Sequence, residues 1–276
     1  MARRAQGEAA ETRAGTSAKA RADAQPDTHP QARTAARGKA GTRAKAGAAT
    51  RRAAPPEGET RRRLIEAGIE LFGRHGFEGV STRALAREAQ VNLAAIPYHF
   101  GGKEGLYRAV VEFVVQTVSE QLGATLLSVR EMARDPRTGR DELLAAVRGM
   151  IRSMVHTILG SSVTLDYCRV LMQEQITPTE VYDVLYQGLF QAMHQTWTAV
   201  LARLLHAREG SPEVDMRAQA VMGQIVIFRI GMPVTLRYLR TERLHHDHLE
   251  CIARLVADQV EALARCAQEA TLENDA

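Results

Sequence analysis

The sequence predicts an all-α fold, a small three-helix helix-turn-helix unit followed by a larger six-helix part, on three observations. Apolar residues recur at threes and fours along nearly every segment from Leu64 to Leu263, the spacing that gives a helix one buried stripe. Between those segments stands helix punctuation: Gly76, Asp135-Pro136, Thr177-Pro178, Ser211-Pro212 and Gly231-Met232-Pro233. Nowhere is there a credible strand.

The chain has 276 residues, 45% hydrophobic and 25% charged, enough for both parts. Its net charge of +4 is unevenly placed, because residues 1–56 hold 12 Lys and Arg against 4 Asp and Glu and the remainder is mildly acidic. That first stretch contains no Leu, Ile, Val, Phe, Tyr or Trp with which to build a core, so a disordered basic tail is expected over residues 1–57. Clustered arginines there would add attraction to nucleic-acid phosphates, independent of sequence and weakened by salt.

The first helix carries Leu64, Ile65, Ala67, Ile69, Leu71 and Phe72 at helical spacing and stops at Gly76, with Phe77 and Val80 docking the connection. In the second, Ser81 is the cap, Leu85, Ala86 and Ala89 point inward, and Arg83 and Arg87 stay outside. After a turn at Gln90-Val91 a third short helix is expected over Asn92–His99, with Ile96 inward and the small Ala94 and Ala95 outward. Small residues on an outer face let a helix lie deep in a major groove. Pro97 falls near the first turn, where its missing amide costs least. The first three helices, over residues 58–107, therefore read as a DNA-binding unit.

The segment from about Thr60 to Tyr107, with LFGRHGFEGVSTRALAREA followed by VNLAAIPYHFGGKEGLY, resembles the DNA-binding domain of the TetR family of bacterial transcription regulators. The Tyr-His-Phe followed by Gly-Lys-Glu is its most specific part. The resemblance implies DNA contacts from Ser81, Thr82 and Arg83, from Leu93, Ala94, Ala95, Tyr98 and His99, and from Lys103. Chemistry agrees: hydroxyls and amides at a helix start suit phosphate oxygens, whereas Leu93, Ala94 and Ala95 offer only apolar contact, for instance to a thymine methyl. Hydrogen-bond readout then falls to Asn92, Arg83 or an arm. Gln90 departs from the family, which usually has a turn glycine there; a positive φ at that position would cost about 1 kcal/mol.

From Lys103 to Met132 one long helix leaves this unit, with Leu106, Val110, Phe113, Val114, Val118 and Leu122 on its stripe. Beyond the loop at 135–139, helices are expected over Asp141–Leu159, from Ser161-Ser162 to about Gln175, and from a capping box at Thr177–Glu180 to about His206. Another starts at Ser211-Pro212 and runs to Arg240, kinked or broken at Gly231-Met232-Pro233, and a last one spans about His246–Cys266. The segments RVLMQEQITPTEVYDVL and AVMGQIVIFRIGMPVTLRYL resemble the C-terminal domain of the CecR subgroup of the same family. A helical ligand-binding and dimerisation domain is thus expected over 108–268, with a short tail at 269–276.

Dimerisation through the last two long helices is expected from Leu249, Ile252, Leu255, Val256, Val260 and Leu263 on one, and Met222, Ile225, Val226 and Phe228 on the other. Polar groups set in otherwise apolar helices are the candidates for binding a small-molecule effector: His156, Tyr167, Arg169, Gln173, His194, Trp197, Gln224 and Arg229. Asp166, Cys168 and either His156 or His194 lack the spacing of a catalytic triad, and His245-His246-Asp247-His248 reads as an exposed helix start. No catalytic residue, metal ligand or cofactor is expected. Cys168, Cys251 and Cys266 form no metal spacing and no even framework, Arg3-Arg4 precedes no apolar segment, and no run of about 18 apolar residues occurs. A cytoplasmic regulator without membrane partners is expected, a homodimeric repressor released from a palindromic operator by its effector. The competing expectation is a constitutive architectural DNA-binding dimer.

Overall fold

The computed structural model describes residues 57–160 and 162–274, and every regular element among them is helical. The basic tail lies outside the described residues except for Glu57, which already opens the first helix. In order come α1 (Glu57–His75), α2 (Thr82–Glu88), α3 (Ala95–Phe100), α4 (Lys103–Arg134), α5 (Arg140–Leu159) and α6 (Ser162–Ile176). Then follow α7 (Tyr182–Leu185), a π-helical turn (Tyr186–Phe190), α8 (Gln191–Leu204), α9 (Pro212–Ile230), α10 (Met232–Leu239) and α11 (His246–Asn274).

Helices α1 to α3 enclose a small core of Leu64, Ile65, Phe72, Leu85 and Ile96, all buried. Phe72, Phe77 and Tyr107 form its aromatic corner, with Tyr107 meeting Phe72 edge-on at 4.9 Å and Phe77 at 5.0 Å. Ser81 caps α2, its Oγ accepting the Ala84 amide at 3.2 Å. Gln90 takes φ +54°, so the strained turn anticipated from its residue type is present.

Helix α3 starts three residues later than its pattern suggests, because the Asn92 side-chain oxygen accepts the Ala94 amide at 2.9 Å and holds the chain in a turn first. That shift rotates Ala95 partly into the core, correcting the outward placement expected for it. Pro97 does fall in the first turn, where an amide would have no helical partner. Gly101, at φ +76°, ends the helix in a conformation that a side chain would strain.

Helix α4 has 32 residues, about 48 Å at 1.5 Å per residue, and is continuous from the DNA-reading unit into the larger part. Its first turns bury Leu106, Tyr107 and Val110, and its later turns bury Val118, Leu122, Leu126 and Val129. It packs on α8 and α5, α5 packs on α11, α8 packs on α9, and α6 packs back on α1.

Two elements differ from their expected form. The Thr177–Glu180 capping box does not start a helix, because Thr179 gives its amide and hydroxyl to the Glu174 carboxylate at 3.2 and 3.0 Å, and α7 begins only at Tyr182. Between α7 and α8 the helix widens into the π-helical turn, where Gly188 lies against Val115 and its carbonyl accepts the Ser119 hydroxyl at 2.8 Å. The break expected at Gly231-Met232-Pro233 is present, and α9 and α10 are bent by 72°. Counting α7, the π-helical turn and α8 as one, the described residues form ten helices where nine were expected. No single described helix is long and apolar enough to cross a membrane.

Helix α11 continues to Asn274, so most of the expected 269–276 tail is helical. Its stripe of Leu249, Ile252, Val256 and Val260 is buried within the same chain, against α5 and α9, and only Leu255 of the expected dimer residues stands out at 48% exposure. On α9, Ile225 is buried, Met222 and Val226 face an internal cavity, and Phe228 packs on the core. On α9 and α10 the large apolar residues left exposed are Met216, Ile227, Ile230, Val234, Tyr238 and Leu239.

Candidate nucleic-acid interface and internal cavity

The outer side of the turn and helix at residues 92–98 is uncovered. Asn92, Leu93, Ala94, Pro97 and Tyr98 are exposed, Leu93 at 43% and Tyr98 at 72%, while Ala95 and His99 are half-buried. The Tyr98 and His99 rings meet edge-on at 4.8 Å. Beside them lies the start of α2, with Ser81 and Arg83 exposed and Thr82 half-buried at the first helical position. Ser81 uses its hydroxyl oxygen as the cap, which leaves the hydroxyl proton for an outside acceptor.

Lys103, in the first turn of α4, lays its ammonium 4.2 Å from the centre of the Phe77 ring. The ring fixes a half-buried cation beside the amides of the helix start, an arrangement suited to a phosphate. Arg61 was not among the sequence-derived contacts, yet it stands over the Phe100 ring at 5.4 Å, at the end of α3. Its signal was available only as one exposed arginine in an ion-paired first turn, where Arg62 and Arg63 are bound to Glu59.

The larger part encloses a cavity of about 370 Å³, within the size range of small-molecule sites. Leu122, Leu171, Met172, Phe190, Met193 and Met222 form apolar walls, and Cys168, Gln175, Tyr182, Tyr186, Gln219, His194 and Arg229 supply polar groups. Of the eight sequence-derived candidates only His194 and Arg229 line it. His156 bonds Glu250 at 2.7 Å on the α5–α11 contact, and Tyr167 packs edge-on against Phe113. Trp197 is fully buried in the core, and Gln224 lies outside the cavity lining with its side-chain oxygen unpartnered.

Arg169 and Gln173 lie on the opposite side of α6, toward α1. There Gly73 allows close approach, since a Cβ on it would stand 3.1 Å from the Arg169 Cβ and 3.2 Å from the Asp166 carbonyl. One helical turn on, the Tyr107 hydroxyl donates to the fully buried Glu174 carboxylate at 2.6 Å. Burial and this carboxylate hold the Tyr107 phenol far above its ordinary range, so it remains a donor. Helix α6 therefore has two working faces. Cys168, Leu171, Met172 and Gln175 face the cavity, while Asp166, Arg169, Gln173 and Glu174 face α1 and α4. Because both faces carry apolar and polar residues, no stripe in the sequence tells them apart.

The groups considered for catalysis are dispersed into other contacts: Asp166 with Arg169, His194 with Asp215 and Cys168 with the Ile158 carbonyl. Burial raises the Cys168 thiol, the wrong direction for a nucleophile. At the start of α11, His246 joins His156 and Glu250 with ligating atoms within 4.8 Å of one another, but Arg152 already supplies that carboxylate with a cation at 2.8 Å. His248 accepts the His245 amide through Nδ1 at 3.1 Å, so these two histidines close the helix-opening turn.

An exposed helix-turn-helix carried on a long helix that enters a cavity-bearing helical part defines a DNA-binding transcription regulator. The family model for bacterial regulatory proteins of the TetR family matches residues 64–110, and the model for the C-terminal domain of the dual regulator CecR matches residues 143–266. The chain belongs to the TetR family. It is 26% identical over 183 residues to the transcriptional dual regulator CecR of Shigella flexneri, a match covering 66% of this chain and 80% of that protein. It is 35% identical over 120 residues to the regulatory protein RaaS of Mycobacterium tuberculosis, 44% of this chain and 53% of that one. The crystal structure of AibR, bound to isovaleryl coenzyme A and operator DNA, superposes with a TM-score of 0.53 at 13% identity, over 72% of this chain and 97% of that one, a likeness of fold alone. These relatives are regulators, and this chain is a regulator rather than an enzyme.

Proposed function

We propose that this regulator is a cytoplasmic homodimeric repressor that leaves a palindromic operator when a small molecule fills the cavity. The observation that carries the reading is the position of α6, one face on the cavity and the other on α1 and, through Glu174, on Tyr107 of α4. A ligand that displaces α6 acts on the DNA-reading unit by rigid contact. It shifts the equilibrium by its difference in affinity between the two states.

In this reading residues 58–107 are the DNA-binding domain and 108–268 the ligand-binding and dimerisation domain. Ser81, Thr82 and Lys103 hold phosphates, helped by Tyr98 and His99. Asn92, Arg83, Leu93 and Ala94 meet base edges, with Ala95 packing beneath them. Two copies pair through the exposed apolar surface of α9 and α10 together with Leu255 of α11, and this presents two α3 helices roughly 34–36 Å apart to successive major grooves. The test is to select bound fragments from the source genome, then titrate the best fragment while compounds are added. A palindromic fragment released by at least one compound is the expected result, and a fragment whose affinity no compound alters removes the switch.

A further inference from the structure

The cavity carries one formal charge among the described residues that line it, the guanidinium of Arg229. Arg229 projects from the last turn of α9. Among the described residues its Nε is buried with no hydrogen-bond partner, and its Nη1 reaches the Ile158 carbonyl at 3.5 Å. That carbonyl is one of the last four of α5, which helix geometry leaves unpaired, and the Cys168 thiol points at it too, at 3.9 Å. Burial pushes the Arg229 guanidinium below its ordinary range, with no carboxylate among the causes. The other basic group on the lining, His194, has Asp215 at 3.3 Å. Arg229 is half-buried, and a cation so placed with no counter-ion among the described residues is costly, a cost that a bound anion would relieve through charge-assisted hydrogen bonds.

We infer that the effector is an amphipathic carboxylate, its acid group paired with the Arg229 guanidinium and its apolar body lying along the wall of Leu122, Met172, Phe190 and Met222. This rests on the reading of the cavity as the effector site. A planar carboxylate matches the arginine fork, and Nε together with one terminal nitrogen would take its two oxygens. The cavity of about 370 Å³ sets the size of the body. The Cys168 thiol, kept protonated by burial, lies beside the guanidinium as a neutral weak donor.

The test uses the full chain and calorimetric titration with straight-chain carboxylates of about six to twelve carbons and with 4-phenylbutyrate, each against its primary amide, sizes that suit a site of this class. The amide keeps the shape and removes the charge. At least one acid is expected to bind roughly tenfold more tightly than its amide, and Arg229→Gln is expected to remove that preference. Glutamine can still donate to the Ile158 carbonyl, so a purely structural role for Arg229 predicts unchanged acid preference in the variant. The inference is overturned if acids and amides bind alike, if no acid binds at ~1 mM, or if R229Q keeps the preference. Should R229Q not fold, the acid and amide comparison on the unaltered chain decides. Operator release is measured separately: neutral compounds that release operator would sink the carboxylate and leave the regulated repressor intact.

Discussion

At Lys103 the sequence and the structure contribute different halves of one argument. The Gly-Lys-Glu motif marks the residue, but only the fold brings its ammonium to 4.2 Å from the Phe77 ring at the start of α4. Lys103→Ala is expected to weaken binding to every DNA sequence alike and to lower the slope of log affinity against log salt by about one unit, measured by fluorescence anisotropy across salt concentrations. An unchanged slope would place the phosphate elsewhere. Gln90 is legible in the same way: its residue type in a tight turn signals strain, and the φ of +54° realises it. Gln90→Gly is expected to stabilise the protein by about 1 kcal/mol, less the added freedom of glycine in the unfolded chain, read from denaturant midpoints. Asn92 and Ala95 were misread because periodicity does not register a side chain bonding its own backbone, and that single bond delays the helix and turns Ala95 inward.

Among the elements, α6 joins two regions and was the least legible. Its pattern mixes apolar and polar residues on both sides because both sides are packed, and the buried Tyr107–Glu174–Thr179 network depends on residues far apart in the chain. Tyr107→Phe removes the donor and leaves a buried carboxylate under-satisfied. It is expected to cost about 2 kcal/mol in urea unfolding and to shrink the change in operator affinity that an effector produces. Equal effector response in the variant would show that coupling runs through another contact. The apolar contact between α5 and α11 is edged by charge, with Arg152 and His156 both on Glu250 and Arg148 on Glu261. Arg152 and His156 hold the Glu250 carboxyl below the usual carboxylate range, so its contribution is complete above its ordinary pKa of about 4.3 and disappears as pH falls through the depressed value. Thermal unfolding of Glu250→Gln is therefore expected below that of the unaltered chain at neutral pH and level with it in acid. A gap that persists in acid would assign the difference to packing.

For the whole molecule the decisive question is which apolar surface remains after the chain has folded. Tyr238 is 82% exposed and Ile230 57% exposed, beside Ile227 and Val234. Replacing Ile230 and Tyr238 together by Glu is expected to give monomers in analytical ultracentrifugation and to lower operator affinity by orders of magnitude, with helix content retained. A dimer that survives the pair of charges would put the interface on another face. A chain beginning at Glu57 is expected to keep sequence preference and lose only the salt-sensitive part of affinity that the basic tail adds. By itself the amino-acid sequence determined the helices, their order, the DNA-reading unit and the family, because these depend on local spacing, caps and short motifs. Tertiary structure alone decided which α11 residues are spent on α5, which face of α6 meets the cavity and which two of eight candidate polar groups line it. A helix pattern states that a stripe is buried, but the identity of what buries it depends on where distant segments lie.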